Sequence, residues 1–267
     1  MNREYENKKL EHTSFTACYK APALRLTQHR QSPPNTSEIT VPNETNQQPT
    51  TSPILFLGKK NDEYCNKALK FIQKNFENTT YYLSKWGDPL PEDIGWWDGD
   101  YIISYLSRWI IPEYLIKKAK KAAINFHPAS PAYPGIGCNN FALYENASEY
   151  GVTCHYMHKN VDTGNIIAVK RFPILPTDDV ASLLSRTYDF QLTLFYEIIG
   201  KIIKGEYLPI TTEKWERKPF SRKEFNELCK ITPEMDNMEI KKRIRATDYI
   251  QFKPTIIIGD YTFELKK

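Results

Sequence analysis

From Pro53 onward the chain alternates short apolar runs with longer stretches in which apolar residues recur every third or fourth position. Residues 53–57 (PILFL) form a run of the kind buried on both faces of a sheet. A polar turn follows, and helical periodicity then spans residues 62–76. Residues 80–83 and 101–105 (YIISY) predict a second and a third strand, and residues 122–125 a fourth. A helix is expected to begin near Pro112, because proline suits the first helical turn. Strands alternating with helices point to βαβ units, hence an α/β fold: an open, mostly parallel twisted sheet with helices on both faces, Rossmann-like in kind.

The second half continues with a short helix over residues 139–144 and a strand pair, 151–157 and 166–172, around the turn VDTGN. Thr177 is the expected N-cap of a long helix over residues 178–204. Beyond it lie two basic helical stretches, 222–229 and 236–245, and a hairpin turning at Gly259-Asp260. Residues 1–51 are poor in aliphatic side chains and rich in Gln, Asn, Thr, Pro and Glu, which predicts a disordered tail. Residues 52–210 are then the main domain, and residues 211–267 a small appendix placed to contact a second copy or a nucleotide.

Charge narrows the function classes. The 36 basic and 32 acidic residues leave a net charge of +4 spread over a mixed surface, without the one-signed field of a nucleic-acid binder. The basic runs 117–121 and 241–245 are expected to be solvated helix faces. Five cysteines, odd in number and without a CxxC pair, indicate neither a disulfide framework nor a zinc site, and no metal is expected. No signal-peptide core or membrane-length apolar stretch is present, so a reduced, cytoplasmic setting without a membrane partner is expected.

In an open α/β sheet ligands bind beyond the carboxyl ends of the strands, and the fourth strand delivers Asn125 and His127 there. The two share a face because strand side chains alternate, and Pro128 biases His127 to extended geometry. A lone histidine at a strand end is commonly structural. Here Asn125 and a carboxylate in a later turn, Asp162, keep it company. Gly135-Ile136-Gly137 lacks the third glycine of a dinucleotide loop. Cys154 and His155 face opposite ways on a strand, which argues against a metal site and reads His155 as a residue that supports the site's side chains or packs behind them.

Four segments together resemble the folate-dependent formyltransferases: Asn125-Phe126-His127-Pro128, the turn ending Tyr133-Pro134-Gly135, residues 150–155 (YGVTCH), and residues 161–167 (VDTGNII). The likeness covers roughly residues 53–215, with a weaker echo over 243–265. It implies N10-formyltetrahydrofolate as formyl donor and Asn125, His127 and Asp162 as the catalytic set. On this reading Asn125 and a protonated His127 stabilise the oxygen that becomes negative as an amine attacks the formyl carbon. Asp162 is expected to hold His127 in its charged form and to help take the amine's proton. The resemblance places the donor against Ser107, Arg108, Trp109, Ile110 and Ile111 and against Asn160 and Asp162.

Within that family the turn after His127 is one residue shorter than in the purine and initiator-tRNA enzymes. Residues 135–144, 104–112, 215–220 and 243–247 look like the nucleotide-sugar N-formyltransferases, in particular those acting on dTDP-linked amino-dideoxy sugars for surface polysaccharide or O-antigen. The implied acceptor is a nucleotide sugar. Lys59, Lys60, Asn61, Tyr133, Gly135, Gly137, Cys138, Asn139, Trp215, Arg243 and Arg245 are its candidate contacts, and the family likeness implies a homodimer. The alternatives are formyl transfer to glycinamide ribonucleotide or methionyl-tRNA, and hydrolysis of formyltetrahydrofolate.

Overall fold

The computed structural model describes residues 49–250 and 252–265; nearly all of the expected tail, up to residue 48, lies outside the described residues. The first apolar run is β1 (Ile54–Lys59), and five of its six residues are buried. Its polar turn ends at Asp62, whose carboxylate accepts the Cys65 N–H and caps α1 (Glu63–Asn75). Next come β2 (Thr79–Ser84), a 3-10 turn (Glu92–Trp96), β3 (Gly99–Tyr105), α2 (Glu113–Ile116) and β4 (Ala119–His127). The main sheet closes with α3 (Cys138–Tyr144), β5 (Glu149–Tyr156), β6 (Ile166–Pro173) and α4 (Val180–Ile203).

The six strands run in the order β2-β1-β3-β4-β5-β6. The pairings β2-β1, β1-β3 and β3-β4 are parallel, whereas β4-β5 and β5-β6 are antiparallel. The sheet is therefore open and mixed, parallel in the half that comes first in sequence. Strand order reverses between β1 and β3, and a crevice opens at such a point beyond the carboxyl ends. The ends gathered there are Lys59 of β1, Tyr105 of β3 and His127 of β4.

Alternation decides what each strand sends to each face. From β4, Ile124 and Phe126 pack with Phe56, Ile103 and the helices α1 and α4, while Ala123 faces Leu55, Leu57, Ile102 and Leu115 on the other side. Asn125 and His127 continue the Ala123 face, past the point where the 3-10 turn and α2 cover it. Phe195 of α4 is the centre of the larger core: its ring lies 5.0 Å from Phe126, 5.1 Å from Tyr105 and 6.5 Å from Phe56.

Several expectations need correction. The helix after Pro112 is a single turn, and the basic run 117–121 leads directly into β4, which begins at Ala119. Lys120 and Lys121 are thus strand residues paired with Asp98 and Asp100. The long helix is capped by Asp179, in a box with Ser182, and not by Thr177. Asp178 is occupied instead by the Leu175 N–H and by Arg186, which keeps it in the preceding turn. The basic stretches became α5 (Arg222–Leu228) and α6 (Asn237–Thr247). The hairpin is β8 (Thr255–Ile258) and β9 (Tyr261–Glu264), and an unforeseen two-residue strand, β7 (Lys230–Ile231), joins it in a second sheet.

Replacing Phe195 by alanine should lower the unfolding free energy by about 3–5 kcal/mol, the range for deleting a buried aromatic ring. Urea denaturation checks this, and a loss below about 1 kcal/mol would contradict the central packing role given to that ring.

Candidate active site

The crevice beyond the strand ends is a cleft of about 470 Å³. On its floor are Asn125, His127, His155 and Asp162, and the last three are at most 5% exposed. Register explains the assembly. Asn125 pairs with His155 across the β4-β5 ladder, and His127 with Thr153. The turn after β5 then returns Asp162 over both histidines: Asp162 Oδ2 lies 3.4 Å from His127 Nδ1, and Oδ1 lies 3.5 Å from His155 Nε2.

Asp162 takes a left-handed backbone conformation, φ 49°, which an aspartate tolerates better than most residues. Two glycines make the approach possible. The Gly135 N–H donates to Asp162 Oδ2 at 2.9 Å. A side chain on Gly135 would collide with the backbone of Phe220, and one on Gly164 with the carbonyl of Tyr156. The turn after His127 is stitched to the C-terminal segment as well: the Ile136 N–H donates to the Phe220 carbonyl, and the Phe220 N–H to the Pro134 carbonyl, both at 2.9 Å.

His155 takes the supporting role that was one of its two expected ones, though its partner, Asn125, was not foreseen. Its Nδ1 lies 2.8 Å from the Tyr156 carbonyl and must carry a proton to bond there. In the neutral ring Nε2 is then an acceptor, and Asn125 Nδ2 approaches it at 3.1 Å. His155 thereby turns the Asn125 amide so that one N–H is held and the other remains for a ligand. The signal was the alternation along β5, which sends His155 to the face opposite the buried Cys154.

Electrostatics set the resting protonation of the floor. Burial opposes ionisation of Asp162, but His127, His155 and the Gly135 N–H outweigh it and hold the carboxyl down at about 2. For His127 the balance goes the other way. Burial pushes the imidazole below its ordinary value, and the pull of Asp162 and the Tyr133 carbonyl does not offset it. Burial thus works against the expected hold of Asp162 on a charged His127 and favours the neutral ring at rest. Its two nitrogens face two acceptors, Asp162 and the Tyr133 carbonyl 3.2 Å from Nε2, so one acceptor goes without a proton.

The cleft has two unlike halves. On one side are Ser107, Trp109, Ile110 and Ile111 of the loop after β3 and the Asn160, Val161 and Asp162 turn, with Met157 and Ile116, whereas the Arg108 guanidinium lies over Trp86. On the other are Lys59, Tyr188, Cys138, Pro219 and Phe220, with Gly135 at the join.

The remaining candidates lie elsewhere. Lys60 and Asn61 are exposed in the turn after β1, outside the cleft lining. Tyr133 offers its carbonyl to His127 while its hydroxyl bonds Glu145. Gly137 precedes α3 and abuts the ring of Phe225, and Asn139 follows on α3 itself. Trp215 is behind the floor: its indole N–H donates to the Gly164 carbonyl at 2.8 Å, and its ring stands edgewise to His127 and His155. Arg243 and Arg245, expected at a substrate diphosphate, are instead occupied in holding backbone. Arg243 donates to the carbonyls of Glu227 and Lys230, and Arg245 to that of Asp178. Among the described residues no group of three or more His, Cys, Asp or Glu side chains is arranged to hold a metal.

The chain is similar to known formyl transferases. The family model for formyl transferases matches residues 71–199. A GDP-perosamine N-formyltransferase of Brucella melitensis is 32% identical over 162 residues, 60% of this chain and 61% of the relative. A methionyl-tRNA formyltransferase of Levilactobacillus brevis is 29% identical over 150 residues, 56% of this chain and 45% of the relative. The chain thus matches 61% or less of the length of these relatives. Among solved structures, a sugar N-formyltransferase from a Shewanella species superposes with a TM-score of 0.65 at 15% identity, over 80% of this chain and 97% of that one. An N-formyltransferase from Helicobacter canadensis, solved with folinic acid and dTDP-3-aminofucose, gives a TM-score of 0.64 at 23% identity, over 77% and 84%. Residues 71–199 are thus similar to a formyl transferase domain, and the fold is like that of these two solved structures.

Proposed function

We propose that the protein transfers a formyl group from N10-formyltetrahydrofolate to the amine of an amino-dideoxy sugar carried on a nucleoside diphosphate. The observation that carries this reading is the convergence of Asn125, His127 and Asp162 on one cleft floor between two chemically unlike walls. The apolar wall, with Ile110 75% and Val161 46% exposed, suits a flat donor ring, and the backbone of residues 107–111 and 160–162 offers it hydrogen bonds. The wall with Lys59 and Tyr188 suits an anionic acceptor. A dTDP-linked sugar is the acceptor read from the sequence, and the Brucella relative makes GDP the second base to test.

The chain's own groups divide the work. The Asn125 N–H left over from His155 points a donor at the formyl oxygen as it becomes negative. Neutral His127 takes the proton the amine loses. The imidazolium so formed satisfies both its acceptors and becomes a charged donor in a site that excludes water. Asp162 steadies that charge without changing its own protonation.

Incubation with N10-formyltetrahydrofolate and a panel of dTDP-, UDP- and GDP-linked amino sugars should yield one acceptor that gains a single formyl group by mass spectrometry. Formate release without any amide product would instead support the hydrolase reading. Asn125→Ala should lose about 10²- to 10³-fold in kcat. His127→Asn and Asp162→Ala should each abolish turnover while circular dichroism stays native, and retained activity in either variant would refute its role.

The pH dependence follows from the sign of the His127 shift. Because the ring must be neutral to accept a proton, kcat/KM should rise with pH through a value below the ordinary histidine pKa of about 6.5. An NMR titration of His127 should give the same value. Asp162→Asn should move it further down, since the anion that favours the charged ring is gone. A titration above that ordinary value would contradict the resting state described.

The homodimer reading rests on the second sheet. Its edge strand β9 exposes Tyr261 and Phe263, and Ile258 beside it is also exposed; unpaired apolar edges of this kind invite pairing. Sedimentation velocity should show a dimer that Tyr261→Asp with Phe263→Asp converts to monomer; a monomeric wild type would end this reading.

A further inference from the structure

At the outer end of the cleft, Trp86 stands 64% exposed beneath two guanidinium groups. Arg108 Cζ lies 4.6 Å from the centre of one of its rings, and Arg222 Cζ lies 5.6 Å away. Arg108 comes from the loop after β3 and Arg222 opens α5, so two segments far apart in sequence bring like charges onto one indole. Other arginines have acidic partners: Arg171 has Glu213, Arg186 has Asp178 and Arg217 has Glu145. Among the described residues, neither Arg108 nor Arg222 has a carboxylate at ion-pair distance. Asp62, the acidic group whose field reaches Arg108, is already bonded to Lys59 at 2.7 Å. The nearby Asp88 carboxylate accepts the Lys85 backbone N–H.

An arginine gains from lying over an indole. Two on the same ring repel each other, and the half-buried Arg108 also pays for lost water. Burial and the neighbouring Arg222 both push the Arg108 guanidinium below its ordinary value. An anion with oxygens enough to bridge two planar forks would relieve that repulsion, a match that phosphate groups make well.

The geometry points to Arg108 and Arg222, braced on Trp86, as a clamp for the diphosphate of the nucleotide-linked acceptor, an inference that rests on the function proposed above. The acceptor is favoured over the donor's carboxylates by direction. The polar and charged groups that act on Arg108 are Tyr188, Asp62 and Arg222, which stand on the Lys59 side of the cleft. Arg243 and Arg245, fixed on backbone, leave that task open.

Calorimetric titration of the full chain with dTDP, GDP, thymidine, guanosine and folinic acid tests the clamp. Arg222 is exposed and lies outside the donor loop, so Arg222→Gln is the deciding variant; Arg108→Gln and Trp86→Leu accompany it, with thermal unfolding as the check on fold. Arg222→Gln should weaken the better-binding nucleoside diphosphate about tenfold or more, the effect of a lost charge-assisted hydrogen bond. Nucleosides and folinic acid should stay within about twofold, and Arg222→Lys should recover part of the loss. Unchanged diphosphate affinity in Arg222→Gln, or a loss confined to folinic acid, overturns the clamp alone. A wild-type protein that binds folinic acid but neither diphosphate overturns the acceptor class and the clamp with it.

Discussion

The carboxylate of Asp162 joins three segments that the sequence keeps well apart. It receives the Gly135 N–H, faces His127 from β4 and faces His155 from β5, all in a space from which water is nearly excluded. A buried charge with few partners would be costly. Here the Gly135 N–H and the adjacent His127 ring offset much of that cost, and the left-handed backbone at Asp162 holds its side chain beside them. Remove that carboxylate and the turn after His127, the two rings and the Asn125 amide lose their common reference.

The same constraint explains why the last part of the chain matters to the site. Gly135 can reach Asp162 because Phe220 pairs with the strand-like stretch around it, and Gly164 can close the Asp162 turn because Trp215 bonds its carbonyl. Trp215 then buttresses both histidines from behind. Phe225 and Leu228 of α5 and Ala246 of α6 pack against Phe141 of α3 and Val180 and Leu183 of α4. Side chains from residues 215–246 thus form a back wall to the cleft floor, and Arg243 and Arg245 serve there as backbone staples.

Much of this was legible in the sequence. The β1, β3 and α1 patterns were clear because buried parallel strands read as continuous apolar runs and α1 shows helical periodicity. Asn125, His127 and Asp162 were legible as a motif, and alternation alone put the first two on one face. Other features depended on contacts that no local pattern encodes. β4 extends back beyond its apolar centre because Ala119 pairs with Gly99 of β3, which made Lys120 and Lys121 strand residues. Asp179 rather than Thr177 caps α4 because Arg186 claims Asp178. The protonation of His127 depends on the depth at which the fold buries it, and the pairing of His155 with Asn125 on strand register.

The central claim is that a formyl group passes from the folate to an amine, and not to water, on the floor formed by Asn125, His127 and Asp162. Following a donor labelled with carbon-13 at the formyl carbon by NMR, in the presence of the accepted nucleotide amino sugar, tests it most directly. The label should leave the donor and appear as a sugar formamide, with little free formate, and the transfer should vanish in Asp162→Ala. Label accumulating as formate, or formamide still forming without the Asp162 carboxylate, would contradict the account.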